Sequence, residues 1–331
     1  HGYPELAYSW RKVMLPIAAA GYHVVAPDVR GYGRTTGGDT RDDTELYSYS
    51  TLNLVRDVLG LVTALGEKSV AGVFGHDAGS PIAAWCAVSR PDVFRSVAMM
   101  SAPFGGTPSI PVGAPPAAPR ANLDQQLAAL PRPRKYYQAY YSTREANDNM
   151  LHAPQGLHAF FRAYYHYKSA DWPGNKPHPL KNASAEEMAQ MPAYYVMDLD
   201  KGMAETVAPV MPTAAEIAAC KWLTDEELSV YSSEYGRTGF QGGLQSYRRG
   251  RDPKYGAELQ TFAGRTIDVP SIFIAGTSDW GVYQTYGAFE RMQSSACTKM
   301  RGAHLIDGAG HWVMQEQPAE VSRLLTGFLR G

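Results

Sequence analysis

With 331 residues, 44% hydrophobic and 19% charged, the chain is long enough to bury a full core and too apolar to be disordered. Its formal charge of −1 gives no electrostatic case for nucleic acid or an anionic membrane surface, and no apolar run reaches membrane-spanning length. Three widely spaced cysteines, Cys86, Cys220 and Cys297, fit neither a disulfide framework nor a metal cluster, which favours a reducing, cytoplasmic setting.

In chain order, Tyr22 to Asp28 reads as a short buried strand, followed by a Gly-rich turn over Arg30 to Arg34. Between Ser50 and Leu65 the apolar residues Leu52, Val55, Val58, Leu59, Val62 and Leu65 recur with helical period. Ser69 to Phe74 predicts a strand, Pro81 to Ala87 a helix, and Ser96 to Met100 the next strand. Alternating strands and helices imply a parallel α/β sheet. From Phe104 to Pro119 the chain is rich in Pro, Gly and Ala, as in a linker without regular structure. Asn122 to Arg249 is largely helix-forming, dense in Tyr and without a clear strand, so it reads as a helical insertion over the sheet. The α/β pattern resumes with a strand at Val269 to Gly276, a helix from about Val282 and a strand at Met300 to Ile306. A final helix, Pro318 to Leu329, places Val321, Leu324, Leu325 and Phe328 on one face. The expected organisation is a core of residues 1–104 and 253–331, interrupted by a linker and helical cap at 105–252.

Gly75-His76-Asp77-Ala78-Gly79 lies between a predicted strand and a predicted helix, the setting of a nucleophile elbow whose usual form is G-x-S-x-G. An Asp in place of Ser redirects the chemistry. A carboxylate attacking an ester would form an anhydride, whereas attack on an sp3 carbon with a strained or good leaving group forms an ester that water can cleave. Epoxides and alkyl halides are therefore the expected substrates. Cleaving that ester needs a base and a group to orient it. Asp279 follows one predicted strand and His311 lies in a Gly-rich loop after the next, so Asp77, Asp279 and His311 occur in the order nucleophile, acid, histidine. All three stand at carboxyl ends of strands, where open α/β sheets hold their sites. His76 is expected to be structural.

Together with His1-Gly2-Tyr3-Pro4, Asp28-Val29-Arg30-Gly31-Tyr32-Gly33 and Gly310-His311-Trp312, these residues resemble the α/β-hydrolase-fold epoxide hydrolases over nearly the whole chain. The resemblance implies a mostly parallel sheet with flanking helices and an inserted helical cap carrying two tyrosines that hydrogen-bond the epoxide oxygen. The matching positions are Tyr137 and Tyr247, although Tyr136, Tyr140 and Tyr141 crowd the first of them. It further implies an oxyanion hole from the N–H groups of Tyr3 and Ala78, no metal or organic cofactor, and a small apolar or aromatic epoxide and water as the reactants. Two rivals stand beside this reading. A dehalogenase of the same fold would place Trp, or Arg, where Ala78 stands, but Trp280, Trp312 or Trp172 could offer an indole N–H from elsewhere. A non-catalytic binding homologue would not need Asp77, Asp279 and His311 together. The strands that precede H-G-x-P in this family are missing, and a parallel sheet with a central gap loses ladder hydrogen bonds and packing. The natural polypeptide is therefore expected to begin upstream of His1.

Overall fold

The computed structural model describes residues 1–109 and 122–331. Its strands are β1 (Val73–His76), β2 (Val97–Met100), β3 (Arg134–Tyr136), β4 (Val196–Asp198), β5 (Ser271–Gly276) and β6 (Met300–Ile306). β1, β2, β5 and β6 form a parallel sheet in the order β1-β2-β5-β6, and β3 pairs antiparallel with β4 in a separate ribbon. The helices that build the core and the site are α1 (Arg11–Ala19), α2 (Thr51–Ala64), α3 (Gly79–Ser89), α4 (Tyr137–Tyr140), α5 (Leu157–Lys168), α6 (Asp225–Thr238), α7 (Gln241–Arg251) and α8 (Pro318–Arg330).

Both faces of the parallel sheet are covered, and the period-two alternation of its strands decides which residue goes where. Val97, Met99, Phe273 and Ala275 point to the side packed by α2 and α3, through Val55, Val62, Ala83 and Trp85. Ala98, Met100, Ile272 and Ile274 point to the other side, against Val13 and Ile17 of α1 and Val321, Leu325 and Phe328 of α8. The apolar face expected of the last helix is the one it buries. A third apolar body, rich in tyrosine, fills the space between the inserted helices and the carboxyl ends of the strands.

Four expectations need correcting. The chain from Tyr22 to Asp28 is extended but joins no ladder, because an apolar groove of about 370 Å³, lined among others by Val24, Ala26, Val70 and Phe74, separates it from β1. The elbow strand starts later than Ser69, since its register with β2 runs only from Val73↔Val97 to His76↔Met100, with a single earlier bridge at Val70↔Phe94. After β5 there is no long helix from Val282. A single tight turn, Trp280–Val282, begins where Asp279 caps the N–H of Gly281, and the next helix, Ala288–Arg291, starts only after Gly287. The helical insertion does contain strands, β3 and β4. Much of the predicted linker, 110–121, lies outside the described residues. No described helix is long and apolar enough to cross a membrane.

Candidate active site

The elbow works because its glycines let two backbones touch. A Cβ on Gly75 would sit 2.1 Å from the Gly79 carbonyl oxygen, so the turn from β1 into α3 closes only with Gly there. The tightness leaves Asp77 at φ +50°, a left-handed conformation rare for a side chain with a Cβ. It is held there by Asp77 N–H donating to the Met100 carbonyl at 3.1 Å and by Ser80 N–H donating to the Asp77 carbonyl at 3.0 Å. The carboxylate projects past the sheet edge, and its side chain retains 13% exposure.

Two loops meet on that carboxylate. Tyr3 N–H donates to Asp77 Oδ1 at 3.0 Å, and His311 Nε2 lies 3.3 Å from Oδ2. On its other side His311 Nδ1 lies 3.1 Å from Asp279 Oδ1 and 2.9 Å from Ser101 Oγ. The structure thus brings Asp77, Asp279, His311 and Tyr3 into one contact chain. Ala78 follows at the start of α3, but among the described residues only the Tyr3 N–H is seated on the carboxylate. Burial and the Lys168 ammonium push the His311 imidazolium down in pKa, but Asp279 and Asp77 outweigh them and leave it above the ordinary histidine value. Burial likewise pushes Asp77 up, and His311 overcomes it to hold the carboxyl well below the usual range. Both shifts describe one ion pair in the resting site.

The His311 loop is fixed from behind. Glu316 accepts the N–H groups of Ala170 at 2.8 Å, Gly310 at 2.9 Å and Trp312 at 2.9 Å, which pins the His311 loop to the inserted helices. His311 N–H itself donates to the Lys168 carbonyl at 2.9 Å. His76 is fully buried and bridges Glu5 Oε2, at 2.6 Å, to the His311 carbonyl, at 2.6 Å. A carbonyl can only accept, so His76 Nε2 donates to it while Nδ1 faces the Glu5 carboxylate. Burial raises the Glu5 carboxyl, but His76 reverses this and brings it to about 2.

The Asp77 charge acts on several tyrosines, Tyr137 and Tyr247 among them. β3 ends at Tyr136, and Tyr137 N–H donates to the Tyr195 carbonyl at 2.9 Å, so the β3–β4 ribbon sets where Tyr137 starts its helix. Tyr247 comes from α7, whose Gly242 packs against Gly31 so closely that a Cβ would meet the Gly31 carbonyl oxygen at 1.9 Å. The two rings lie 5.8 Å apart, edge to face. Burial raises both phenols well above the usual range, and the Asp77 charge raises each further. Tyr136 is half-buried beside Tyr137 and Tyr141 shares its hydroxyl with Tyr164 at 3.2 Å. Trp312, one of the alternative indole donors, is committed to the Tyr165 carbonyl at 2.9 Å.

Similarity to known proteins decides among the chemistries this geometry allows. Residues 1–318 match the family model of the alpha/beta hydrolase fold. The chain is 34% identical, over its whole length and 89% of the relative's, to epoxide hydrolase A of Mycobacterium tuberculosis. The chain belongs to the epoxide hydrolases of the α/β-hydrolase fold. Among solved structures it superposes on an epoxide hydrolase from an endophytic Streptomyces with a TM-score of 0.76 at 31% identity, covering 100% of this chain and 87% of that one. Potato (Solanum tuberosum) epoxide hydrolase I gives 0.74 at 27% identity, covering 100% and 91%.

Sequence reasoning missed four residues of this epoxide hydrolase's site: Glu5, Ser101, Lys168 and Gln284. Glu5 follows the H-G-x-P run directly and could have been noticed. Ser101 directly follows β2 and looks like any small polar residue. Lys168 closes a helix otherwise lined with aromatics, and is only 3% exposed. Its Nζ lies 4.9 Å from the Tyr195 ring centre and 5.4 Å from that of Trp312, and burial lowers its pKa against the pull of Asp77, Asp279 and Glu5. Gln284 lies near no recognisable motif and reaches Tyr136 and Tyr137 only through the fold.

Proposed function

We propose that this epoxide hydrolase opens its substrate through a covalent alkyl-enzyme ester on Asp77. The contact chain Asp279, His311, Asp77, with Tyr3 N–H on Oδ1, is the observation that supports the reading. Asp77 Oδ2 attacks an epoxide carbon while Tyr137 and Tyr247 hydrogen-bond the ring oxygen. The C–O bond of the ring breaks and the developing alkoxide takes a phenol proton. His311, oriented by Asp279, then removes a proton from water, which attacks the Asp77 carboxyl carbon. Charge developing on Oδ1 is met by Tyr3 N–H and by that of Ala78. The tetrahedral species collapses, Oδ2 leaves with the diol and takes the proton from His311, and the proton on the new carboxyl restores the phenol.

The reading carries residues 105–252 as the cap and 1–104 with 253–331 as the core, since Tyr137 and Tyr247 come from the first and Asp77, Asp279 and His311 from the second. The aromatic lining suits small apolar or aromatic epoxides. The free cysteines suit a cytoplasmic enzyme.

A single turnover in water labelled with heavy oxygen tests the ester. The label is expected in the Asp77 carboxylate and not in the first diol released. Label in that first diol would mean direct attack by water and would remove the ester from the scheme.

The ester also predicts a pH effect. Once Asp77 is esterified, its negative charge no longer stabilises the His311 imidazolium, while Lys168 still disfavours it. The histidine therefore loses its proton more readily when a base is needed. Lys168→Met removes the opposing charge, so the His311 pKa rises and the acid limb of kcat moves to higher pH. An unmoved limb would show that the Lys168 charge does not reach the base.

A further inference from the structure

The two phenols assigned to the epoxide oxygen are not equivalent. Tyr137 Oη accepts two amide hydrogen bonds, from Gln284 Nε2 at 2.9 Å and from Gln138 Nε2 at 3.2 Å. The second N–H of the Gln284 amide goes to Tyr136 Oη at 2.6 Å. With its lone pairs engaged, Tyr137 has its own proton left to offer. Tyr247 packs edge-on against Tyr3 and Tyr137, and its hydroxyl has no hydrogen-bond partner among the described residues.

Resting on the ring-opening reading above, we propose that Tyr137 is the proton donor to the epoxide oxygen, that Tyr247 only hydrogen-bonds that oxygen, and that Gln284 is the positioning residue that divides the work. The physical reason lies in what donation leaves behind. A phenol that gives its proton to the alkoxide becomes a phenolate inside an aromatic enclosure, and burial opposes that charge. Amide N–H donors already aimed at the oxygen strengthen as it becomes anionic and need no rearrangement to do so. At Tyr137, burial, Tyr136 and Asp77 oppose ionisation while Gln138 and Gln284 favour it. At Tyr247, burial, Tyr137 and Asp77 oppose it, with no hydrogen bond from a described residue in its favour. Donation from Tyr247 would leave an anion that no hydrogen bond from a described residue stabilises.

The placement of Gln284 adds a second consequence. It lies five residues beyond Asp279, on the loop that follows β5 in the core, whereas Tyr137 belongs to the inserted helices. One loop thus orients the base through Asp279 and supports the acid through Gln284. The proton balance is unchanged: Tyr137 gives its proton to the alkoxide, and the carboxyl left on Asp77 after ester hydrolysis returns one.

Ester accumulation in a His311→Gln background, followed by quenched intact-mass measurement with styrene oxide, isolates the ring-opening step. Gln284→Met keeps the side-chain length and donates nothing, and is expected to slow ester formation about tenfold. Added to Tyr137→Phe it should cost nothing further, and added to Tyr247→Phe its full effect should persist. Gln284→Glu, whose ionised carboxylate can only accept, should slow the step at least as much. Gln138→Met gives a smaller loss with the same dependence on Tyr137, which keeps the idea testable should Gln284 variants fold poorly. With His311 present, hydrolysis of the formed ester should proceed at the parent rate. A Gln284→Met loss that is equally large without the Tyr137 hydroxyl, or that slows both half-reactions alike, overturns the assignment. No ester with the parent His311→Gln protein would instead bring down the ring-opening reading and this division of labour with it.

Discussion

His311→Gln is expected to arrest the enzyme as a stable ester, with turnover reduced by about three orders of magnitude. The variant keeps everything ring opening needs: Asp77 still carries its charge, Tyr3 still holds Oδ1, and the tyrosines are untouched. In the proposed mechanism it loses the group that takes a proton from water, since His311 Nε2 lies 3.3 Å from Asp77 Oδ2 and its other nitrogen is braced by Asp279 and Ser101. Intact mass after exposure to styrene oxide should therefore rise by the whole epoxide and stay there. Changing Asp77 to Asn as well should abolish the gain, because an amide is a far poorer nucleophile than a carboxylate. A parallel exposure to a bromoalkane distinguishes the halide chemistry of related enzymes, in which the mass would rise by the alkyl group alone. A gain with the bromide only would overturn the epoxide mechanism proposed for Asp77.

Tyr137→Phe combined with Tyr247→Phe should lower the rate of ester formation by about four orders of magnitude, with a smaller loss for each change alone. The leaving group in this reaction is an alkoxide, much too basic to depart without a proton or strong hydrogen bonds. The packing that holds both rings survives removal of a hydroxyl because each is wedged against other aromatics at 5 to 6 Å. The loss should therefore appear in ring opening, read as the rate of ester accumulation, and not in the unfolding midpoint. A doubly substituted enzyme that still forms ester at a tenth of the parent rate would show that other donors activate the oxygen.

The elements legible in the sequence were those whose signal is local. The α2 periodicity and the apolar face of α8 each reflect a helix burying one face, the β2 run a short strand buried on both, and these with β6 all stand where expected. What failed was pairing. Val24, Val25 and Ala26 have the composition of a buried strand, yet a strand exists only when a neighbour completes its ladder, and here a groove intervenes. The β3–β4 ribbon was invisible for the converse reason: three residues on each side, separated by some sixty positions, carry no periodicity of their own. That ribbon is nonetheless what sets Tyr137, the residue that crowded tyrosines made hardest to assign.

For the site the same division holds. The elbow glycines, the aspartate between them and the order Asp77, Asp279, His311 lie in the sequence because a sharp turn and a reacting carboxylate each demand a particular residue at a particular place. Together they point to attack on an sp3 carbon. The supporting groups obey no such local demand. Ser101 beside His311, the Glu5–His76 pair behind the His311 loop and Gln284 on Tyr137 act through distances between segments far apart in the chain, from 71 positions for Glu5 and His76 to 210 for Ser101 and His311. Residue type can announce a nucleophile, but the hydrogen bonds and charges that tune it depend on which loops the sheet and the inserted helices bring within 3 Å, and that is settled only by tertiary packing.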